Sequence, residues 1–298
     1  MLGRVVVLGQ LAALGTAACW AVTSIVFAES ARRIGSLRTN LLRLPVALVL
    51  LSLALVAGAG TFAGLDSTRL GWLAASAVVG LVAGDLAFFA ALERLGPRLA
   101  ALMMSLAPPF AALAGALLLG EIPGPVGAAG MVLTLAGVAW VVSERHSREE
   151  TPRHRFEGVA IAVFSAACQG LGLVLSKLGM GGEVAPLAAT WVRIAVATAA
   201  IWALAAVARR TTGLGLRTAV RSGWPFVVAG AFFGPFVGVW LSLAAVRLTD
   251  VGVAATLMST TPLLLIPVVA LTEGYRPTLR AVAGTVLAIA GVALLFSR

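Results

Sequence analysis

The sequence is poor in almost everything that a soluble enzyme draws on. Only 11% of its 298 residues are charged, two are histidine, two are cysteine and one is tyrosine. Soluble domains carry about a quarter charged residues, so water is excluded as the main solvent. His146 and His154 share one polar stretch, while Cys19 and Cys168 lie singly inside apolar runs. Neither arrangement has zinc-ligand spacing or suggests a disulfide framework, and no metal or cofactor is expected. No acid pair falls inside an apolar run at metal or nucleophile spacing, so an intramembrane enzyme is the weakest of the functions considered.

What is present is hydrophobic: 60% of the chain, with mean hydropathy +1.02. A helix crossing the hydrocarbon core needs about 20 apolar residues. Runs bounded by charge, Gly or Pro predict spans at 5–28, 39–58, 70–92, 99–119 and 125–143, then at 158–178, 186–208, 223–245, 251–272 and 279–296. Lipid offers no hydrogen bonds, so each span must be a helix. Arg4, an apolar run and Thr16-Ala17-Ala18-Cys19 have the outline of a lipoprotein signal. The run continues to Phe27, and Ser165-Ala166-Ala167-Cys168 matches it in mid-chain, so a membrane span is the expectation.

The two halves repeat. Residues 129–143 (AGMVLTLAGVAWVVS) align with 283–297 (AGTVLAIAGVALLFS) at an offset of 154, with nine of fifteen positions identical. Met104-Ser105-x-x-Pro108 matches Met258-Ser259-x-x-Pro262 at the same offset, and Arg94-Leu95 matches Arg247-Leu248 at 153. Arg43 corresponds to Arg193 at 150, and the two Ala-Ala-Cys triplets correspond at 149. Five helices is an odd number, so the second copy enters from the opposite face. The expected fold is therefore all-α integral membrane, ten transmembrane helices as two inverted five-helix repeats. The first repeat spans 1–145, a charged linker 146–157, and the second repeat 158–298.

The formal charge of +10 reflects topology rather than nucleic acid binding, because the basic residues sit between apolar runs without interleaved aromatics. Odd-numbered connections hold fifteen Lys and Arg residues; the even-numbered connections and the termini hold four. By the positive-inside rule the odd connections are cytoplasmic and both termini lie outside, in an inner (plasma) membrane.

These features, with Trp20 in the first helix, an Arg in each second helix, Gly84-Asp85 leading into Ala90-Ala91-Leu92, and a Pro followed by Glu121 or Glu273, resemble the EamA-type branch of the drug/metabolite transporter superfamily. The resemblance covers nearly the whole chain. It implies a ten-helix basket with a central cavity, and export or exchange of amino acids or related metabolites. Many members of that family resemble proteins with cytoplasmic termini, and the arginine count here points the other way.

Asp85 lies about fifteen residues into the third span, where an acid costs roughly 2.5 to 3.5 kcal/mol on insertion scales and therefore calls for a partner or a cavity. It is the first candidate for a coupling group, with the proton as the coupling ion; a fixed anchor to a neighbouring helix is the alternative. Arg43 and Arg193 can clamp a carboxylate bidentately. For Arg43, five residues from Arg38, the interfacial snorkelling role is favoured; for Arg193 the two readings are balanced. Lys177 is equally open. Trp20, Thr23, Ser24 and Gln169 supply polar and aromatic surface on the first helices of the repeats. Glu121 and Glu273 end the fourth helices as gate or loop anchors at opposite faces. Pro108, Pro109, Pro262 and Pro267 interrupt the fourth helices, with kinking the expected role. The small-residue rows Gly80-x-x-x-Gly84 and Gly230-x-x-x-Gly234-x-x-x-Gly238 read as packing seams.

The expected function is secondary transport of a small polar metabolite, an amino acid or derivative, by alternating access. Exchange of a nucleotide-sugar or phosphorylated metabolite is the alternative. The expected partners are the small-molecule substrate and the bilayer, not nucleic acid; the oligomeric state is left open.

Overall fold

The computed structural model describes residues 2–58, 60–142, 155–207, 216–261, 263–264 and 278–296. Every regular element among them is helical. The first repeat holds α1 (Leu2–Ile34), α2 (Ser36–Val56), α3 (Ser67–Ser76), a π-helical segment (Ala77–Gly84) that runs directly into α4 (Asp85–Met104), α5 (Ala107–Leu119) and α6 (Pro125–Val142). The second holds α7 (Arg155–Met180), α8 (Pro186–Val207), α9 (Leu216–Ala231), a second π segment (Phe232–Gly238), α10 (Val239–Leu248), α11 (Val251–Met258) and α12 (Leu279–Phe296).

Six of these helical runs are long and apolar enough to cross a membrane, and 107–119, 125–140 and 282–295 are shorter apolar helices. The expected ninth span opens with α11; its continuation from 265 to 277, with Glu273 and Pro267, lies outside the described residues, as does Pro262. Val49, Leu53, Leu113, Leu117, Val132, Val286 and Ile289 are exposed. Such surface is a liability in water and is solvated by lipid in a membrane.

The expected boundary between the third and fourth helices moves. The third helix does not stop at residue 92: helical structure continues past Pro97 to Met104, although the apolar span within it ends at Ala91. The chain breaks instead at Ser105-Leu106, and Pro108 and Pro109 sit in the first turn of α5. Proline lacks an N–H, and the first turn of a helix has no intrahelical partner for one, so the pair starts a helix where mid-helix it would break one. The same break recurs at Ser259-Thr260, in the matching Met-Ser-x-x-Pro of the second repeat. Residues 143–154 lie outside the described residues, and with them most of the expected linker at 146–157; α7 begins at Arg155.

The repeats interlock. α1 packs along α9, the second π segment and α10, while α7 packs along α3, the first π segment and α4. Matching residues make matching contacts. Ser165 donates to the Gly84 carbonyl at 2.8 Å, and its counterpart Thr16 reaches the Gly238 carbonyl at 3.5 Å. A Cβ at Gly172 would lie 3.0 Å from the Gly80 Cα, and one at Gly234 would lie 2.9 Å from Thr23, the counterpart of Gly172. The two glycine rows are the seams along which the first helix of one repeat meets the third helix of the other.

α6 and α12 cross at a second seam, made by the duplicated Ala-Gly segments. A Cβ on Gly137 would stand 2.5 Å from the Ala288 nitrogen, and one on Gly291 would collide with the Thr134 nitrogen. Backbones this close require glycine on both helices. Gln10 donates to the Leu295 carbonyl at 2.6 Å and fixes α12 against α1.

Candidate functional site

The first π segment delivers Asp85 to a junction with α2 and α7. It departs from the regular i→i+4 ladder, and two of its carbonyls are taken by α7: that of Gly84 by Ser165, at 2.8 Å, and that of Gly80 by Gln169, at 3.3 Å. Asp85 is the residue after this segment. Its Oδ2 accepts from Arg43 Nη2 at 2.5 Å, and its Oδ1 accepts from Gln169 Nε2 at 2.8 Å. One carboxylate thus joins α2 to α7 across the repeats.

Arg43 does not extend toward Arg38. Its Nε donates to Asn40 Oδ1 at 2.8 Å, and its guanidinium carbon lies 5.7 Å from the Phe27 ring centre and 5.8 Å from that of Phe89, within cation–π range. The Arg43 and Asp85 side chains are 13% and 19% exposed, so the pair is enclosed without being sealed. Arg193, at the matching place in α8, is 4% exposed. Its Nε has no hydrogen-bond partner among the described residues, and Asp85 is the acid that acts on it electrostatically. Nη2 of Arg193 sits beside Gly80, where a Cβ would come within 3.4 Å of it. Indole N–H groups tie α2 to α8 on either side of this point: Trp191 donates to Ser52 Oγ at 2.8 Å and Trp202 to the Leu41 carbonyl at 3.1 Å.

The repeat symmetry is broken here. The counterpart of Gln169 is Trp20, and the counterpart of Asp85 is Val239. Trp20 Nε1 would lie 3.0 Å from a Cβ on Gly238, as Gln169 Nε2 would lie 3.1 Å from one on Gly84. Of the two arginines, Arg43 is bonded to the carboxylate and Arg193 is not. Thr23 turns its hydroxyl back to the Cys19 carbonyl at 2.7 Å, and Ser24 is exposed and bonded to the Trp20 carbonyl at 2.8 Å.

Lys177 and Glu121 stand apart from this group. Lys177 is eight residues beyond Gln169, about 12 Å along α7. It pairs with Glu121 Oε1 at 2.5 Å and donates to the Thr249 carbonyl at 2.7 Å. Glu121 Oε2 accepts from the Val251 N–H at 2.7 Å, satisfying one of the open donors at the start of α11. Arg69 bonds Glu183 and the Gly64 carbonyl, and Arg247 donates to the Gly182 carbonyl at 2.7 Å. These residues stitch the even-numbered connections to one another. The sequence pattern assigns Lys177 and Glu121 separate roles because nothing along the chain signals a contact between repeats. Glu273, His146 and His154 lie outside the described residues. Among the described residues no His, Cys, Asp and Glu cluster can hold a metal ion.

The model of the EamA-like transporter family matches residues 7–143 and 156–297, one match for each repeat. The chain belongs to this family. It is a multi-pass membrane protein of a transporter family within the drug/metabolite transporter superfamily. No curated protein matches it. A solved crystal structure of a protein aligns with it at TM-score 0.74 and 20% identity, covering 96% of this chain and 95% of its own. At that identity the likeness shows the fold alone. In this EamA-like chain, Arg43, Asp85 and Arg193, three of the charges that interrupt the apolar runs, come together where the two family repeats meet.

Proposed function

We propose that this EamA-like protein is a secondary transporter that moves a small polar metabolite, an amino acid or derivative, by alternating access, with Asp85 as its proton-coupling group. The observation that carries the reading is the enclosed Asp85–Arg43–Gln169 junction between interlocked repeats, with Arg193 beside it. A carboxylate bonded to both an arginine of one repeat and a glutamine of the other changes those bonds when it is protonated. The side-chain link from α2 through Asp85 to α7 then depends on the proton, which is the requirement for coupling. Substrate is bound at this level, and the repeats rock about their glycine seams.

The arginine-rich odd connections belong in the cytoplasm of an inner-membrane protein. The stitched even-numbered face is then the outer face, and Glu121 with Lys177 acts as a gate anchor there. Exchange of a nucleotide-sugar or phosphorylated metabolite is the second reading, favoured by the guanidinium in excess of carboxylate. It ranks second because Lys177 is committed to Glu121, which leaves Arg193 as the spare cation near Asp85 among the described residues.

Untargeted metabolite profiling of medium tests this, using cells that express the wild type, Asp85→Asn or an empty vector at matched membrane levels. Export predicts a metabolite that accumulates with the wild type and falls to the vector level with the variant. Identical profiles for wild type and vector would remove the export reading.

A further inference from the structure

The charges around Asp85 do not balance. Two guanidinium groups, brought by equivalent positions of α2 and α8, face one carboxylate. Both oxygens of that carboxylate are engaged, Oδ2 by Arg43 and Oδ1 by Gln169. The second repeat offers no acid at the matching place, because Val239 stands where Asp85 would be and Trp20 where Gln169 would be. Arg193 is left 4% exposed, with an Nε that no group among the described residues accepts from.

An unpaired cation inside a membrane protein is costly, and such residues mark ion or substrate paths. A guanidinium presents Nε and Nη donors in a planar fork that fits the two oxygens of a carboxylate. Nη2 lies beside Gly80, where a Cβ would stand in van der Waals contact at 3.4 Å. We infer that Arg193 is the anion-binding group of this protein, and that its ligand is a monocarboxylate carrying one net negative charge. This rests on the transport reading for its purpose, not for its geometry.

The same count sets the selectivity. One spare positive charge is met by one carboxylate. A phosphate dianion overfills it, an amine is repelled, and a zwitterion brings an ammonium group for which the neighbouring acid, Asp85, is already bonded to Arg43 and Gln169. Within the class of amino acids and derivatives proposed above, the inference selects the derivatives without a free ammonium group: oxo acids, hydroxy acids and N-acylated amino acids fit, and free amino acids fit less well.

The test is binding to the purified full-length protein in lipid nanodiscs, read by ligand-induced thermal shift. The probes are acetate, benzoate and 3-phenylpropanoate as monocarboxylates, with L-phenylalanine, phenethylamine and inorganic phosphate as contrasts. At least one monocarboxylate stabilises the wild type saturably, and each contrast probe binds weaker by roughly 30-fold or more, the effect of leaving one member of a buried charge pair unmatched. Arg193→Gln loses the response by a similar factor, and Arg193→Lys keeps part of it. Val239→Asp, which supplies the missing acid from within, suppresses it in a protein whose site charge is balanced. If Arg193→Gln does not fold, the last two variants decide.

The inference is overturned if no monocarboxylate shifts the wild type, if L-phenylalanine or phosphate binds as tightly, or if the Arg193 and Val239 variants respond as the wild type does. Flux from proteoliposomes loaded with a metabolite extract separates the two claims. Saturable flux without carboxylate binding sinks the inference alone, and carboxylate binding without flux sinks transport alone.

Discussion

Asp85→Asn leaves two guanidinium groups facing each other across a neutral amide, and its cost can be worked from the geometry. Arg43 Nη2 and Asp85 Oδ2 are 2.5 Å apart, which puts the charge centres about 4 Å apart; at an effective dielectric of about 20 the Coulomb term is about 4 kcal/mol. Exposed pairs return only about 0.2–1 kcal/mol. The side chains here are 13% and 19% exposed, so the pair behaves as a buried one, and removing either partner costs about 3–5 kcal/mol. Removing both costs less than the sum, because neither member of the Arg43–Asp85 pair is left without the other, while Arg193 loses its nearby acid in Asp85→Asn and in the double variant alike. The prediction is that Asp85→Asn and Arg43→Gln each lower stability strongly, while the double variant recovers at least about 2 kcal/mol of the summed loss. The assay is unfolding in detergent followed by tryptophan fluorescence, which the seven tryptophans make practical. Additivity within about 0.5 kcal/mol would refute the pairing.

Further outcomes follow from the seams and the even-numbered face. Gly137→Ala places a methyl 2.5 Å from the Ala288 nitrogen and costs about 1–3 kcal/mol through overpacking, whereas Gly71→Ala, with open space around its Cβ, is neutral or stabilising; thermal unfolding of the two variants checks this. Glu121→Gln weakens both the bond to Lys177 and the bond to the start of α11, costing about 1–3 kcal/mol and raising hydrogen exchange in Val251–Met258 above wild type. Gly84→Leu drives a side chain against Gln169 Nε2 and Cys168 Cβ, 3.1 and 3.3 Å from the Cβ position, opens the seam and detaches Gln169 from Asp85; flux and thermal stability fall together.

The parts of the site that are legible in the chain are those that violate the rule of an apolar span. Asp85, Arg43 and Arg193 stand out as charges within helices, and the duplication by itself aligns the two arginines. Their assembly is not legible. Asp85 meets Arg43 across 42 residues and Gln169 across 84, and the π segment that orients it, Ala77–Gly84, is an apolar stretch with no local signature of its own. The duplicated segments at 129–143 and 283–297 are visible as a repeat, but not as the place where α6 and α12 touch. The boundary between the third and fourth helices falls too early in the sequence pattern because Glu93, Arg94 and Pro97 look like a connection. The helix continues past them beyond its apolar span, and the proline pair at 108–109 begins the next one.

The central claim is carrier-type transport coupled through Asp85, and the most direct measurement is solute flux from reconstituted proteoliposomes loaded with a pooled metabolite extract, with and without a pH gradient. The account predicts saturable movement of a small polar metabolite that is accelerated by the gradient in the wild type and insensitive to it in Asp85→Asn. Non-saturable flux, or gradient-driven flux that persists unchanged in Asp85→Asn, would contradict it.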